Sequence, residues 1–116
     1  MLFKGRDKRY ASEVGEQIVY FAHEGIIRGE FILQYSYGID ERYIYDLQIY
    51  EEYRNQGYGN LMIAEMVEKY GNYKNLPLTL GVLRDNLPAL HLNQKYGFKV
   101  YNDETPGVYW MRYERN

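Results

Sequence analysis

Cysteine is absent from this 116-residue chain, and histidine occurs only twice, as His23 and His91. The first absence excludes disulfide frameworks, thiolate nucleophiles and cysteine-held metal clusters. The second argues against a histidine-rich metal site, and we expect no metal. A basic excess is also lacking. Lys and Arg total 14 against 16 Asp and Glu, a formal charge of -2, whereas domains that hold nucleic acid by neutralising phosphates carry surplus positive charge. Nucleic acid is therefore disfavoured as a partner, and only the basic set Lys4, Arg6, Lys8 and Arg9 keeps it in consideration. No apolar run approaches the roughly 18 residues of a membrane span, and the basic first ten residues lead into no apolar secretion segment. These absences predict a cytoplasmic protein without a membrane partner. The length predicts a single domain over residues 1–116, since one core usually serves about 50 to 200 residues.

What the chain has in excess is tyrosine, 15 residues spread from Tyr10 to Tyr113. Tyrosine suits strands and half-wet surfaces, so the excess reads first as sheet composition and second as an aromatic binding wall. Residues 17–23 and 26–36 are β-rich and joined by the turn dipeptide Glu24-Gly25, which predicts a hairpin. Residues 42–50 alternate apolar and polar side chains as a strand does. The period then changes: Leu61, Ile63, Met66, Val67 and Tyr70 recur at helical steps, which predicts an amphipathic helix over 59–70 stopped at Gly71-Asn72. Residues 77–83 read as a short apolar strand buried on both faces. Asp85-Asn86 followed by Pro88 starts a helix that runs to about Tyr96, with Gly97 as its left-handed cap. Residues 98–101 and 107–113 close the chain as strands. The order predicts an α/β (α+β) fold with a central mixed sheet in which strands linked by a helix lie as parallel neighbours.

Chemistry concentrates between Leu47 and Asn60, where a strand leads through EEYRNQGYGN into a helix. Unpaired N–H groups and a positive dipole at a helix N-terminus suit an anion, and glycine lets one approach. A dinucleotide fingerprint would need glycine at position 62, where Met62 stands, and a P-loop would need Gly-Lys-Ser/Thr, which is missing. What remains is Arg54-x-x-Gly57-x-Gly59. This segment resembles the R/Q-x-x-G-x-G/A signature of the GNAT (GCN5-related) N-acetyltransferases. A second block, Asn86-x-x-Ala89-x-x-Leu92-Asn93-x-Lys95-Tyr96-Gly97-Phe98, is similar to that family's N-x-x-A-x-x-L-Y-x-K-x-G-F. The two blocks cover residues 42–113 with one helix and one strand between them.

The resemblance implies a GNAT-like, mostly antiparallel twisted sheet with helices packed on it, the family's first two helices being reduced to residues 1–16 or missing. It implies acetyl-CoA as co-substrate and transfer of the acetyl group to an amine. Backbone N–H groups of Asn55, Gln56, Gly57, Tyr58, Gly59 and Asn60 would hold the pyrophosphate, with a charge contact from Arg54. Backbone groups of Leu47 and Ile49 would meet the acetyl carbonyl and the pantetheine arm. Asn86 would contact the cofactor, cap its helix, or do both.

The departures bear on mechanism. Asn93 stands where the family often has a tyrosine that protonates the leaving thiolate, and an amide cannot act as a general acid. The two usual base positions fall on Tyr43 and Gly81. Leaving a thiolate of pKa about 8.5 unprotonated at neutral pH forgoes at most about 2 kcal/mol. Deprotonating an alkylamine of pKa about 10.4 costs about 4.6 kcal/mol, so the base matters more. Glu41, Asp46, Glu51 and Glu52 are carboxylate candidates by proximity, beside their reading as solvated turn charges, and Tyr43 or Tyr45 could relay a proton through water. Those acids suggest a cationic acceptor, either a small amine or a protein lysine or N-terminus. The rival reading is a CoA-binding or protein-interaction module without turnover. His91 and His23 read as surface or packing residues. Tyr109, Trp110 and Tyr113 read as sheet packing or the seam of a homodimer ahead of substrate contacts.

Overall fold

A computed structural model of the chain describes residues 14–36, 39–71 and 77–114. The basic set Lys4, Arg6, Lys8 and Arg9, the turn at Gly38, Asn72 and most of the expected remnant over 1–16 lie outside these residues. Six strands run β1 (Val14–His23), β2 (Ile26–Ser36), β3 (Ile39–Ile49), β4 (Leu78–Leu83), β5 (Phe98–Asn102) and β6 (Val108–Tyr113). A 3-10 turn (Glu51–Tyr53) and helix α1 (Tyr58–Tyr70) follow β3, and helix α2 (Leu87–Lys95) follows β4. The 3-10 turn has no apolar period of its own and is not foreseen by the sequence pattern.

The strands form one sheet in the order β1-β2-β3-β4-β6-β5. Only β3 and β4 pair parallel; the other neighbours are antiparallel. This corrects one expectation. β4 and β5, joined by α2, are not neighbours, because β6 turns back and inserts between them. The reason is burial. β6 alternates, with Tyr109, Met111 and Tyr113 packed in or against the core, whereas β5 buries Phe98 and exposes Lys99, Val100 and Tyr101. The strand with more apolar surface takes the interior position, and the exposed one takes the edge.

Helix α1 docks through Met62, Ile63 and Met66, not through Leu61, which is 44% exposed. Val67 and Tyr70 pack against the core as the apolar spacing suggests, so of the five expected positions only Leu61 departs, with Met62 buried in its place. Burying such side chains is worth about 1.5–3 kcal/mol each, against about 1 kcal/mol for an N-cap. Packing thus holds a helix whose N-cap, Gly57, supplies no side-chain hydrogen bond. At the other end Gly71 is right-handed (φ -56°). A side chain there would meet Val67 O at 2.5 Å and the Tyr113 ring at 2.8 Å, so glycine is needed for close packing and not for a left-handed stop. Gly97 is left-handed, with φ +99°, as expected.

Two residues of β3, Asp46 and Leu47, oppose the single residue Phe31 of β2. This is a β-bulge, with Asp46 in the left-handed region at φ +51°. Bulges bend and overtwist a strand, and here β3 leaves its parallel partner. The β3–β4 register runs only over Arg42–Leu78, Tyr43–Thr79 and Ile44–Leu80. Beyond it β4 is buried on one face only: Gly81 and Leu83 are exposed while Val82 stays in the core. The expectation of burial on both faces holds only up to Leu80.

Across the β2–β3 pair the Tyr50 hydroxyl donates to the Glu30 carboxylate at 2.7 Å. That hydrogen bond and the neighbouring charge push the Tyr50 phenol up to about 12. The raised value means the folded state favours the neutral phenol. The bond's contribution is therefore intact below the ordinary tyrosine pKa of about 10 and disappears as pH rises through about 12. Carbon-13 NMR at the tyrosine Cζ atoms should show one late-titrating ring whose signal is missing in Tyr50→Phe.

Candidate active site

A cleft of about 670 Å³ opens where β3 and β4 part, lined by β3 from Ile44 to Ile49, β4 from Leu80 to Leu83, α1, α2 and Trp110. Leu47, Ile49, Gly59, Asn86 and Asn93 all line it. One side of β3 is already paired. Tyr50 N–H donates to Arg28 O at 2.8 Å, so strand alternation turns the N–H and carbonyl of Ile49 away from β2, toward the opening. The Ile49 carbonyl is taken, accepting from Arg54 Nε at 2.9 Å.

That bond changes the part Arg54 can play. Its side chain folds back to tie the turn to the end of β3, leaving only its terminal nitrogens for an anion. Gln56 likewise donates to Glu52 O at 3.3 Å. On either side of Gln56 the backbone takes a left-handed step, at Asn55 (φ +63°) and at Gly57 (φ +85°). Among the described residues, no backbone acceptor outside the helix meets the N–H groups from Asn55 to Asn60. A Cβ at Gly59 would meet only Leu92 Cδ2, at 3.8 Å. The protein's own packing therefore does not require glycine there, and the bare backbone faces open space at a positive helix end. Such a cradle fits a diphosphate, with the cleft beyond it as the channel for an extended arm. Asn60, on the rim, accepts from Lys95 Nζ and Tyr96 OH, each at 3.4 Å.

Asn86 is the N-cap of α2: its side chain accepts from Ala89 N at 3.3 Å, and it stands on the cleft wall. Asn93 is 4% exposed and directs Nδ2 at Met111 Sδ, 3.8 Å away. Tyr43 is not part of the lining. It stacks on Tyr45, ring centres 6.1 Å apart, and it is Tyr45 that reaches the cleft. Glu41 lies in β3, and its side chain is outside the described residues. Glu51 and Glu52 are exposed in the 3-10 turn and do not line the cleft. Of the carboxylates weighed from the sequence whose side chains are described, only Asp46 does.

The structure also accounts for Gly81. A Cβ there would lie 3.0 Å from the Trp110 ring, and the two residues pair across β4 and β6. Glycine makes room for the indole, which forms the cleft wall and donates from Nε1 to Thr105 Oγ1 at 3.1 Å. Trp110 points opposite to Tyr109 and Tyr113, which pack on the core. Its place in the wall was missed because the pairing with Gly81 joins positions 29 residues apart in sequence. Among the described residues no group of three or more His, Cys, Asp or Glu could hold a metal ion, and no helix is long and apolar enough to cross a membrane.

A six-stranded, mostly antiparallel sheet split at its one parallel pair, with a cleft in the split, is the architecture of GNAT acetyltransferase structures. A GNAT family acetyltransferase from Elizabethkingia anophelis, solved with acetyl-CoA bound, matches at TM-score 0.70 and 19% identity, over 93% of this chain and 80% of that one. The PaiA N-acetyltransferase from Thermoplasma acidophilum, in complex with coenzyme A, matches at TM-score 0.66 and 21% identity, over 93% and 66%. The ribosomal-protein-S18-alanine N-acetyltransferase from Escherichia coli matches at TM-score 0.67 and 21% identity, over 91% and 74%. No curated protein sequence matches the chain. The sequence itself matches the acetyltransferase (GNAT) family over residues 8–98, so the chain belongs to that family. Membership implies acyltransferase chemistry.

Proposed function

We propose that this chain, as one catalytic domain, transfers the acetyl group of acetyl-CoA to a primary amine by direct attack in a ternary complex. The observation that carries the reading is the continuity of the open β3 edge with the unpartnered N–H groups at the start of α1, joined by a cleft. Backbone N–H groups of residues 55–60 would hold the diphosphate, and the Ile49 N–H would serve the arm. Leu47 completes the wall at the bulge. The reaction then needs position and a proton acceptor more than covalent chemistry. Asp46 receives the amine proton, directly or through one water, because among the described residues it is the one carboxylate lining the cleft. Asn93 gives the departing sulfur a hydrogen bond but no proton.

Trp110 makes the test direct. It is the only tryptophan and lines the cleft, so its fluorescence should change on titration with acetyl-CoA. Calorimetry with desulfo-CoA and pyrophosphate should show that binding depends on the diphosphate portion. Release of free CoA with a panel of amines then separates turnover from mere binding. Trp110 over Gly81 and Asn93 at Met111 are what favour the rival reading of a binding module, which predicts fluorescence change without CoA release.

A further inference from the structure

The phosphate turn is tied at its entry by Arg54 and Gln56, yet Gly57 gives its exit no side-chain cap. What holds the exit is a residue of another strand. Phe21 pairs with Gly29 and Ala22 with Ile27, which leaves Arg28 unopposed in a bulge of β2. A bulge re-aims its side chain, and Arg28 is only 8% exposed. Its guanidinium lies 4.8 Å from the Tyr53 ring centre and 4.6 Å from that of Tyr58. Tyr53 ends the 3-10 turn and Tyr58 begins α1, so the two rings bracket residues 54–57. Arg28 Nε donates to His23 O at 3.2 Å, its carbonyl accepts from Tyr50 N, and the His23 ring stands 5.4 Å from Tyr58. Among the described residues no salt bridge includes Arg28.

We propose that Arg28 is a positioning residue that clamps both ends of the phosphate turn by standing between Tyr53 and Tyr58. The flat guanidinium faces two rings set at 88° to each other, a geometry that a compact ammonium cannot reproduce. The clamp gives the β1–β2 hairpin a part in cofactor binding without its touching the cofactor. This inference rests on the acetyl-CoA reading above for its consequence, though not for its geometry.

Two variants and two readouts test it. In the ligand-free protein, Arg28→Met should lower the backbone 15N order parameters of residues 54–57 from a rigid value near 0.85 to below about 0.6. It should also weaken CoA binding by about tenfold, the size expected from two lost cation–π contacts, while pantetheine, which lacks the diphosphate, changes less than about twofold. Arg28→Lys should recover little of the loss, because a compact, strongly hydrated ammonium cannot face both rings at once as the flat guanidinium does. Unchanged order parameters, equal weakening of both ligands, or full rescue by Arg28→Lys would each overturn the clamp. Should the wild-type protein bind no CoA, the acetyl-CoA reading fails, and the order parameters alone then decide the clamp.

Discussion

Gly59→Val binds acetyl-CoA about a hundredfold more weakly than the wild type, or worse, yet unfolds at nearly the same temperature: this is the largest effect we expect on binding. A diphosphate in the cradle would take charge-assisted hydrogen bonds worth about 1.5–3 kcal/mol each, and losing two of them is enough for a hundredfold. The bulky side chain would occupy the space in front of the N–H groups. It costs the fold little, because a Cβ at this position meets only Leu92 at 3.8 Å and because valine is a better helix residue than glycine by a few tenths of a kcal/mol. Gly57 is the poorer probe. Its φ of +85° would strain any other residue by about 1–2 kcal/mol, so lost binding there would be confounded with lost stability. Calorimetric titration beside thermal melting separates the two, and wild-type affinity in a folded Gly59→Val protein would remove the cradle from the mechanism.

Asp46→Asn should lower kcat by about a hundredfold or more at neutral pH, in the range usual for loss of a general base. The KM for acetyl-CoA should change little, since the contacts we propose for the cofactor come from backbone groups and not from the Asp46 side chain. The substitution is clean because asparagine tolerates the left-handed conformation as well as aspartate does, so the bulge at φ +51° survives. The pH profile carries the sign. At pH 7 an alkylamine acceptor of pKa about 10.4 is nearly all protonated and needs the carboxylate; as pH approaches that value the free amine appears unaided. The deficit of Asp46→Asn should therefore shrink as pH rises. A variant as fast as the wild type at pH 7 would mean that solvent, or a relay through Tyr45, takes the proton.

Much of the architecture was legible because it is written in local periods and turn chemistry. The hairpin followed from two β-rich runs about Glu24-Gly25, the α2 start from Asn86 and Pro88, and its end from Gly97. Helix α1 followed from its 3.6-residue period, which located Ile63, Met66, Val67 and Tyr70 on the core face and missed only the exchange of Leu61 for Met62 at its edge. The strand–turn–helix segment that carries the proposed phosphate site was legible for the same reason: strand, glycine turn and helix start are contiguous in the chain.

Other features depend on which strands meet, and no local pattern carries that. The order β4-β6-β5 was settled by relative burial, with β6 supplying the packed tyrosines and Met111. Gly81 looked like a missing base until β6 brought Trp110 over it. Arg54 looked like a free cation until the turn brought Ile49 O within 2.9 Å. Asp46 was one of four equivalent acids until the bulge at Asp46-Leu47 opened the cleft beside it. The sequence by itself determined the elements and the glycine turn at the start of α1, because their physics is confined to a few neighbouring residues. Only the tertiary structure decided the cleft, its aromatic wall and the place of Asp46 on its lining, because each depends on residues brought together across the sheet.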